Sequence, residues 1–332
     1  MRPEYRRARQ IAVALVVWLA AHAATLSAQE PLRIAVISDL NGSYGSTAYA
    51  EDVTRAVERI IELRPDLVIS TGDMVAGQRR PHLSRPEVEA MWSAFHAQVS
   101  ETLKAAGIPL AVTPGNHDAS AYSGFALERD IYARQWSDRR PAVKFVDDAA
   151  YPFHYAFALG DVLFISVDAT VVGRLPKEQM DWLAELLTTE GPRHRYRVLF
   201  SHVPLWPFAL GRLDEIIGDP KLQALLEAAD VDLYLSGHHH AFYPGSRDGV
   251  AFVGQACLGA GSRRLESADR RSDKAFTIIR FDKQDIAIAA LKAPRYAETI
   301  AWRTLPQRIT TEAGGLVRAD TAGVLTEIEQ VP

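Results

Sequence analysis

Residues of metal-ligating type stand at the ends of short apolar runs in this sequence. Asp39 follows residues 32–38, and Asp73 follows 66–71. Asn116 and His117 follow 109–114, His202 follows 196–201, and His238 and His240 follow 231–236. Carboxylates, neutral imidazoles and an amide oxygen are together the donor set for two divalent cations, and Asp73 is the candidate for a carboxylate that touches both. Two such cations neutralise phosphoryl oxygens and acidify a water between them, which is what hydrolysis of a phosphate ester requires. Taken singly these residues have plainer readings. Asp39 or Asp73 alone suits a helix cap or a turn, and His202 alone suits a half-buried, hydrogen-bonded ring. Their joint placement is what points to a metal centre. His238 and His240 are two apart, so an extended segment would turn both rings to one side and His239 away.

The runs that carry them are rich in Val, Ile and Leu and read as buried strands. Apolar residues at helical spacing occupy 50–63, 87–106, 177–187 and 221–229 between several of these runs. Strands alternating with helices argue for an α/β layered fold, in which ligands bind beyond the carboxyl ends of the strands. After His240 the pattern turns to β, at 250–253, 275–281 and 286–292, with a hairpin expected across 282–285. From about 297 the periodicity fades, and at most one more strand and a tail are expected there.

The motifs resemble those of the calcineurin-like metallophosphoesterase family over roughly residues 32–292. That family has Asp-x-His, Gly-Asp, Gly-Asn-His-Asp/Glu, a single His, and Gly-His-x-His in this order. This chain reads Asp39-Leu40-Asn41, Gly72-Asp73, Gly115-Asn116-His117-Asp118, His202 and Gly237-His238-His239-His240. The resemblance implies a central β-sandwich flanked by helices, with a dinuclear centre of manganese, iron or zinc at the strand C-terminal edge. It assigns Asp39 and His240 to the first metal, Asn116, His202 and His238 to the second, and Asp73 to both. It also implies that His117 stabilises or protonates the leaving oxygen of a phosphomonoester or phosphodiester. Asp118 is then expected to accept the other ring N–H of His117.

Asn41 departs from the pattern, standing where the family usually has His. Its amide oxygen is a neutral, hard ligand and would shift preference toward manganese or magnesium. The alternatives are that a water completes the site with Asn41 behind it, or that the first site is weak. The last case leads to a rival function, a binding protein for phosphate-containing ligands with impaired turnover. The basic, glycine-containing stretch 259–264 is a candidate substrate contact through backbone N–H groups and arginine forks.

Composition bounds the rest. The 332 residues carry a net charge of −4, so no general attraction to nucleic acid or anionic membrane is expected, and the expected partner is a small phosphate ester. Residues 1–28 have Arg2, Arg6, Arg7 and Arg9, then an apolar run, then small residues, which is the layout of a secretory signal peptide. Its removal takes away four Arg and one Glu and moves the net charge to −7. The expected organisation is thus a signal peptide at 1–28, a metallophosphoesterase domain at 29–296 and a C-terminal extension at 297–332. Export to the periplasm or the cell exterior follows, with no stable membrane span after cleavage. The single cysteine, Cys257, excludes an intrachain disulfide and reads as a small buried apolar residue.

Overall fold

The computed structural model describes residues 31–331, and the expected signal peptide lies outside the described residues. In chain order the first strands are β1 (Leu32–Ile37), β2 (Leu67–Ser70), β3 (Leu110–Val112), β4 (Lys144–Ala150), β5 (His154–Leu159), β6 (Val162–Ser166), β7 (Tyr196–Ser201) and β8 (Leu233–Ser236). They are followed by β9 (Tyr243–Arg247), β10 (Val250–Gly254), β11 (Ala275–Phe281), β12 (Ile286–Lys292), β13 (Glu298–Thr299), β14 (Arg308–Thr311), β15 (Gly314–Arg318) and β16 (Thr326–Glu327). Among the described residues they form two sheets. One has the order β13-β12-β11-β1-β2-β3 with β16 beside β12, and the other runs β14-β15-β9-β10-β8-β7-β6-β5-β4.

Side-chain alternation along the strands builds a sandwich with a helical layer on each outer face. Ile34 and Val36 of β1 pack between the sheets with Phe164, Val198, Phe200 and Leu235 of the other sheet. Ala35 and Ile37 face the opposite way, into a cluster with Val53 and Ile60 of the helix Glu51–Leu63 and with Trp92 and Trp136. The outer face of the second sheet packs Leu163, Ile165 and Leu199 against Leu183 and Leu187 of the helix Lys177–Thr189 and Leu222 of the helix Pro220–Ala228. Each fully buried side chain of this size contributes about 1.5–3 kcal/mol. The segments β1, β2 and β3 are parallel, as are β6, β7, β8 and β10. Each set therefore delivers its C-terminal loops to one edge, and those loops carry the ligand-type residues.

One expectation needs correction. The stretch after 297 is not a strand and a tail but contributes β13 to β16, two of them in each sheet, and buries Trp302 and Leu316. The helical stretch expected at 87–106 is present as an unbroken run over 85–105. The helix Arg85–Phe95 opens into a wide π turn at His96–Ser100 and resumes at Glu101–Ala105. The helix Ala126–Ser137 was not anticipated, because its apolar residues are sparse among charges. The β11–β12 hairpin is present, with Phe281 opposite Ile286.

The π turn gives a test of stability against pH. His96 is buried among Trp92, Phe95 and Trp136, with Nδ1 2.7 Å from Ser100 Oγ and Nε2 3.2 Å from Gln135 Oε1. Burial, with help from the nearby Arg139 charge, lowers its pKa from 6.5 to about 4. The folded state favours the neutral ring, so this stabilisation is complete above pH 6.5 and is lost as the pH falls toward 4. Between pH 7 and pH 5 the loss is expected to be about 1.5 kcal/mol after allowance for residual screening. Urea unfolding of wild type and His96→Gln at both pH values checks it. Equal pH dependence of the two proteins would refute it.

Candidate metal centre

The loops leaving the strands turn abruptly into the edge between the sheets. Asp39, Asp73, His238 and His240 all have positive φ, at 51°, 55°, 64° and 51°. His238 and His240 thus do not sit in an extended segment, and it is the left-handed turns that aim both rings inward. Two glycines allow the loops to meet. A Cβ on Gly115 would lie 2.2 Å from Asp73 Oδ1, and one on Gly72 would lie 2.7 Å from the Gly115 backbone. The sheets are joined at this edge by His202 Nδ1, 2.8 Å from the Thr71 carbonyl.

Hydrogen bonds fix the ring tautomers. A carbonyl only accepts, so His202 Nδ1 donates to Thr71 O and leaves a lone pair on Nε2 in the neutral ring. That Nε2 lies 2.9 Å from Asn116 Oδ1, 3.2 Å from Asp73 Oδ2 and 3.3 Å from His238 Nδ1. The Asn116 amide cannot turn its NH₂ inward, because it donates to Gln78 Oε1 at 2.7 Å. His238 Nε2 sits 2.8 Å from Glu215 Oε2, which places its proton there and its Nδ1 lone pair toward His202. Four electron-rich atoms therefore face one another with no proton to share in the neutral rings. Such a set is satisfied by a cation.

The same pattern recurs beside it. His240 Nδ1 donates to Gly261 O at 2.9 Å, so its Nε2 lone pair faces Asp39 Oδ1 at 3.1 Å. Asp39, Asp73 and His240 each offer a ligand atom within 4.8 Å of the others. Asp39 Oδ1 and Asn41 Oδ1 are buried without a hydrogen-bond partner. An amide oxygen in that position fits a metal ligand, while the Asn41 N–H is held 3.2 Å from the Asp73 carbonyl. Asp73 belongs to both groups, so the donor set fits two cations sharing one carboxylate.

The local field agrees. Burial opposes charge on Asp73, but His202 and then His117 outweigh it and lower its pKa. Burial likewise opposes charge on His202, and Asp73 outweighs it, moving the ring up to about 9. His238 is driven down by burial and by the neighbouring His202 charge. A field that draws a proton to a buried imidazole also draws a divalent cation.

The sequence pattern of the calcineurin-like phosphoesterase family matches residues 32–242. The chain belongs to the calcineurin-like phosphoesterase family. Among solved structures it shares its fold with a purple acid phosphatase from yellow lupin (Lupinus luteus) seeds, at 18% identity and a TM-score of 0.59 over 79% of this chain and 51% of that one. It also shares it with a dimetal phosphatase from Danio rerio, at 16% identity and a TM-score of 0.55 over 82% of this chain and 98% of that one. A curated relative, Transmembrane protein 62 of Mus musculus, is 25% identical over 68% of this chain, and the chain spans 33% of that protein's length. No helix among the described residues is long and apolar enough to cross a membrane.

Within this phosphoesterase fold, two side chains differ from expectation. Asp118 does not hold His117. Its Oδ1 accepts the N–H groups of Met74 and Val75, its Oδ2 accepts that of Gly115, and it thereby ties the Asp73 loop to the Asn116 loop. Burial, and then the charge of Asp73, push its pKa up to about 7. The Nδ1–H of His117 instead donates to Gly77 O at 2.8 Å, which leaves Nε2 toward the centre, 3.8 Å from Asp73 Oδ2. His239 is turned away from the rings of His238 and His240, as expected, and is fully buried, with its ring 4.5 Å from that of Phe208 and Nε2 3.1 Å from Glu215 O.

Glu215 and Gln78 had no signal in the sequence, since neither lies in a motif nor at a strand end. Gln78 orients Asn116, and its own backbone N–H is held by Glu128 Oε2 at 2.8 Å. Glu215 holds His238 and also pairs with Arg212. A carboxylate behind a ligand imidazole raises its basicity, and Glu215→Gln keeps the size while removing that charge. The substitution is expected to weaken the more loosely held metal by about 10–100-fold, as read by titration against a chromogenic chelator. An unchanged affinity would sever Glu215 from the centre.

Proposed function

We propose that the protein hydrolyses phosphate esters with two divalent metal ions, held by Asp39, Asn41 and His240 on one side, by Asn116, His202 and His238 on the other, and by Asp73 between them. The observation that carries this reading is the set of lone pairs facing lone pairs around His202 Nε2. Bound there, the cations would neutralise the phosphoryl oxygens and make an attacking water acidic.

The remaining work falls to the chain. Asp39, Asn116 and the histidines are fixed by backbone or by Gln78 and Glu215, so the donors need little rearrangement on binding. With its Nδ1–H committed to Gly77, His117 presents Nε2 at the rim, where it can hold a proton for the leaving oxygen. The ring of Tyr44 stands 5.3 Å from that of His117 and is 56% exposed, which makes it a wall for the leaving group. Asn41 favours hard ions, and manganese is our choice for the first position. The Arg-rich and then apolar start of the chain supports export as part of the same reading.

Residues 29–332, reconstituted separately with manganese, zinc and iron, should hydrolyse chromogenic phosphomonoesters or phosphodiesters with at least one metal. The ratio of the two activities assigns the ester class. Two bound metals with no turnover on either ester would overturn the enzymatic reading in favour of a phosphate-ligand-binding protein.

A further inference from the structure

A cleft of about 420 Å³ lies against the loop that holds His240, lined by Arg263, Arg264, Arg271, Asp269, Leu210 and Gly211. The backbone fixes it to the metal centre. Arg263 N–H donates to the His240 carbonyl at 3.1 Å, while Gly261 O accepts from the His240 ring. The other side is equally anchored. Arg264 pairs with Arg271 across an antiparallel bridge, Leu210 N–H donates to Arg264 O at 2.8 Å, and Ser272 N–H donates to Arg263 O at 2.8 Å. The three guanidinium groups are therefore carried on a braced loop.

Among the described residues, Arg263, Arg264 and Arg271 make no ion pair, although Asp269 lines the same cleft. Arg271 donates to the Ser262 carbonyl, and Arg263 Nε is buried without a partner. Arg212, next to Gly211, adds a further positive charge, partly offset by Glu215. Gathering cations in one cleft costs electrostatic energy that an anion would offset, and planar guanidinium forks match phosphate oxygens. The protein as a whole carries a net charge of −4, so this gathering of arginines runs against its overall sign.

We propose that this cleft is an anion subsite that receives a second phosphate of the substrate, next to the one hydrolysed. This deepens the phosphoesterase reading and rests on it. The substrate class becomes phosphate compounds with a neighbouring phosphate, such as a nucleoside diphosphate losing its terminal group. Water adds to the terminal phosphorus, the bridging P–O bond breaks, and the nucleoside monophosphate leaves with the bridging oxygen.

The test uses metal-loaded wild type, Arg264→Ala/Arg271→Ala and Arg264→Lys/Arg271→Lys, with ADP and 4-nitrophenyl phosphate as substrates. The ratio of kcat/KM for ADP to that for 4-nitrophenyl phosphate is expected to fall by at least about tenfold in the alanine variant and to recover in large part in the lysine variant. A ratio within about twofold of wild type in the alanine variant overturns the subsite. Should wild type hydrolyse neither compound, calorimetric binding of ADP still decides the subsite, and the phosphoesterase reading fails only if a chromogenic phosphodiester is also left intact. Binding at least about tenfold weaker in the alanine variant supports it, and equal binding overturns it.

Discussion

Asp73→Asn is expected to lower kcat by about a thousandfold or more and to leave the protein unable to hold two metal ions. Asp73 Oδ2 lies 3.2 Å from His202 Nε2, while the same carboxylate belongs to the cluster of Asp39 and His240. No other described carboxylate reaches both groups, so the pair of cations depends on it. An amide of the same shape supplies one neutral oxygen and an NH₂ that must face either the centre or the His117 N–H now bound to Oδ1 at 2.9 Å. Two cations contribute several kcal/mol to stabilising the charge that builds on a phosphoryl group, and each 1.36 kcal/mol is tenfold in rate. The variant should still fold. Asp73 has φ 55°, and asparagine is among the few residues that accept the left-handed region readily. Metal content by atomic spectrometry and melting of the metal-free protein separate the two causes. Wild-type turnover with two metals bound would refute the shared-carboxylate assignment.

The proposed ligands were legible because chemistry constrains them twice, by type and by position at a strand end. Asp39, Asp73, Asn116, His202, His238 and His240 all leave parallel strands at one edge, and a run of Val, Ile and Leu before each gives the strand away. Glycine was equally informative. Gly72 and Gly115 precede Asp73 and Asn116 because the loops touch backbone to backbone there. What supports the proposed ligands was not legible. Glu215 lies in an irregular loop and meets His238 across 23 residues, and no local pattern encodes such a meeting. The same applies to Gly77, whose carbonyl accepts the His117 Nδ1–H that was expected to go to Asp118. Adjacent residues at a tight turn point in different directions, so Asp118 serves the backbone of two loops instead.

The fold shows a similar division. Buried parallel strands such as β1, β2 and β7 announced themselves. β4 did not, because Lys144, Asp147 and Asp148 occupy an edge strand whose outer rim meets water. Nor did β14 and β15, which are short and enter the sheet only because β15 joins β9 and β14 joins β15. Their side chains answer to a partner far away in sequence, so periodicity within the segment carries little of the information.

His117→Asn should separate proton delivery from metal binding. In the proposed reaction, His117 Nε2 supplies a proton to the leaving oxygen, and its Nδ1–H bond to Gly77 fixes the ring for that task. Positioned acid catalysis of this kind is worth about 10²–10⁴-fold, and its value rises with the basicity of the leaving group. A nitrophenolate leaves without a proton, so hydrolysis of 4-nitrophenyl phosphate should fall only modestly. An alkyl phosphate releases a strongly basic alkoxide and should lose close to the full factor. Asparagine cannot carry the proton, yet it is small enough for the 18% exposed pocket that the ring occupies. Metal stoichiometry should remain at two, since His117 is not among the proposed ligands. The decisive quantity is the slope of log kcat/KM against leaving-group pKa, which should steepen in the variant. A parallel drop on both esters, or a lost metal ion, would instead make His117 part of the scaffold of the centre.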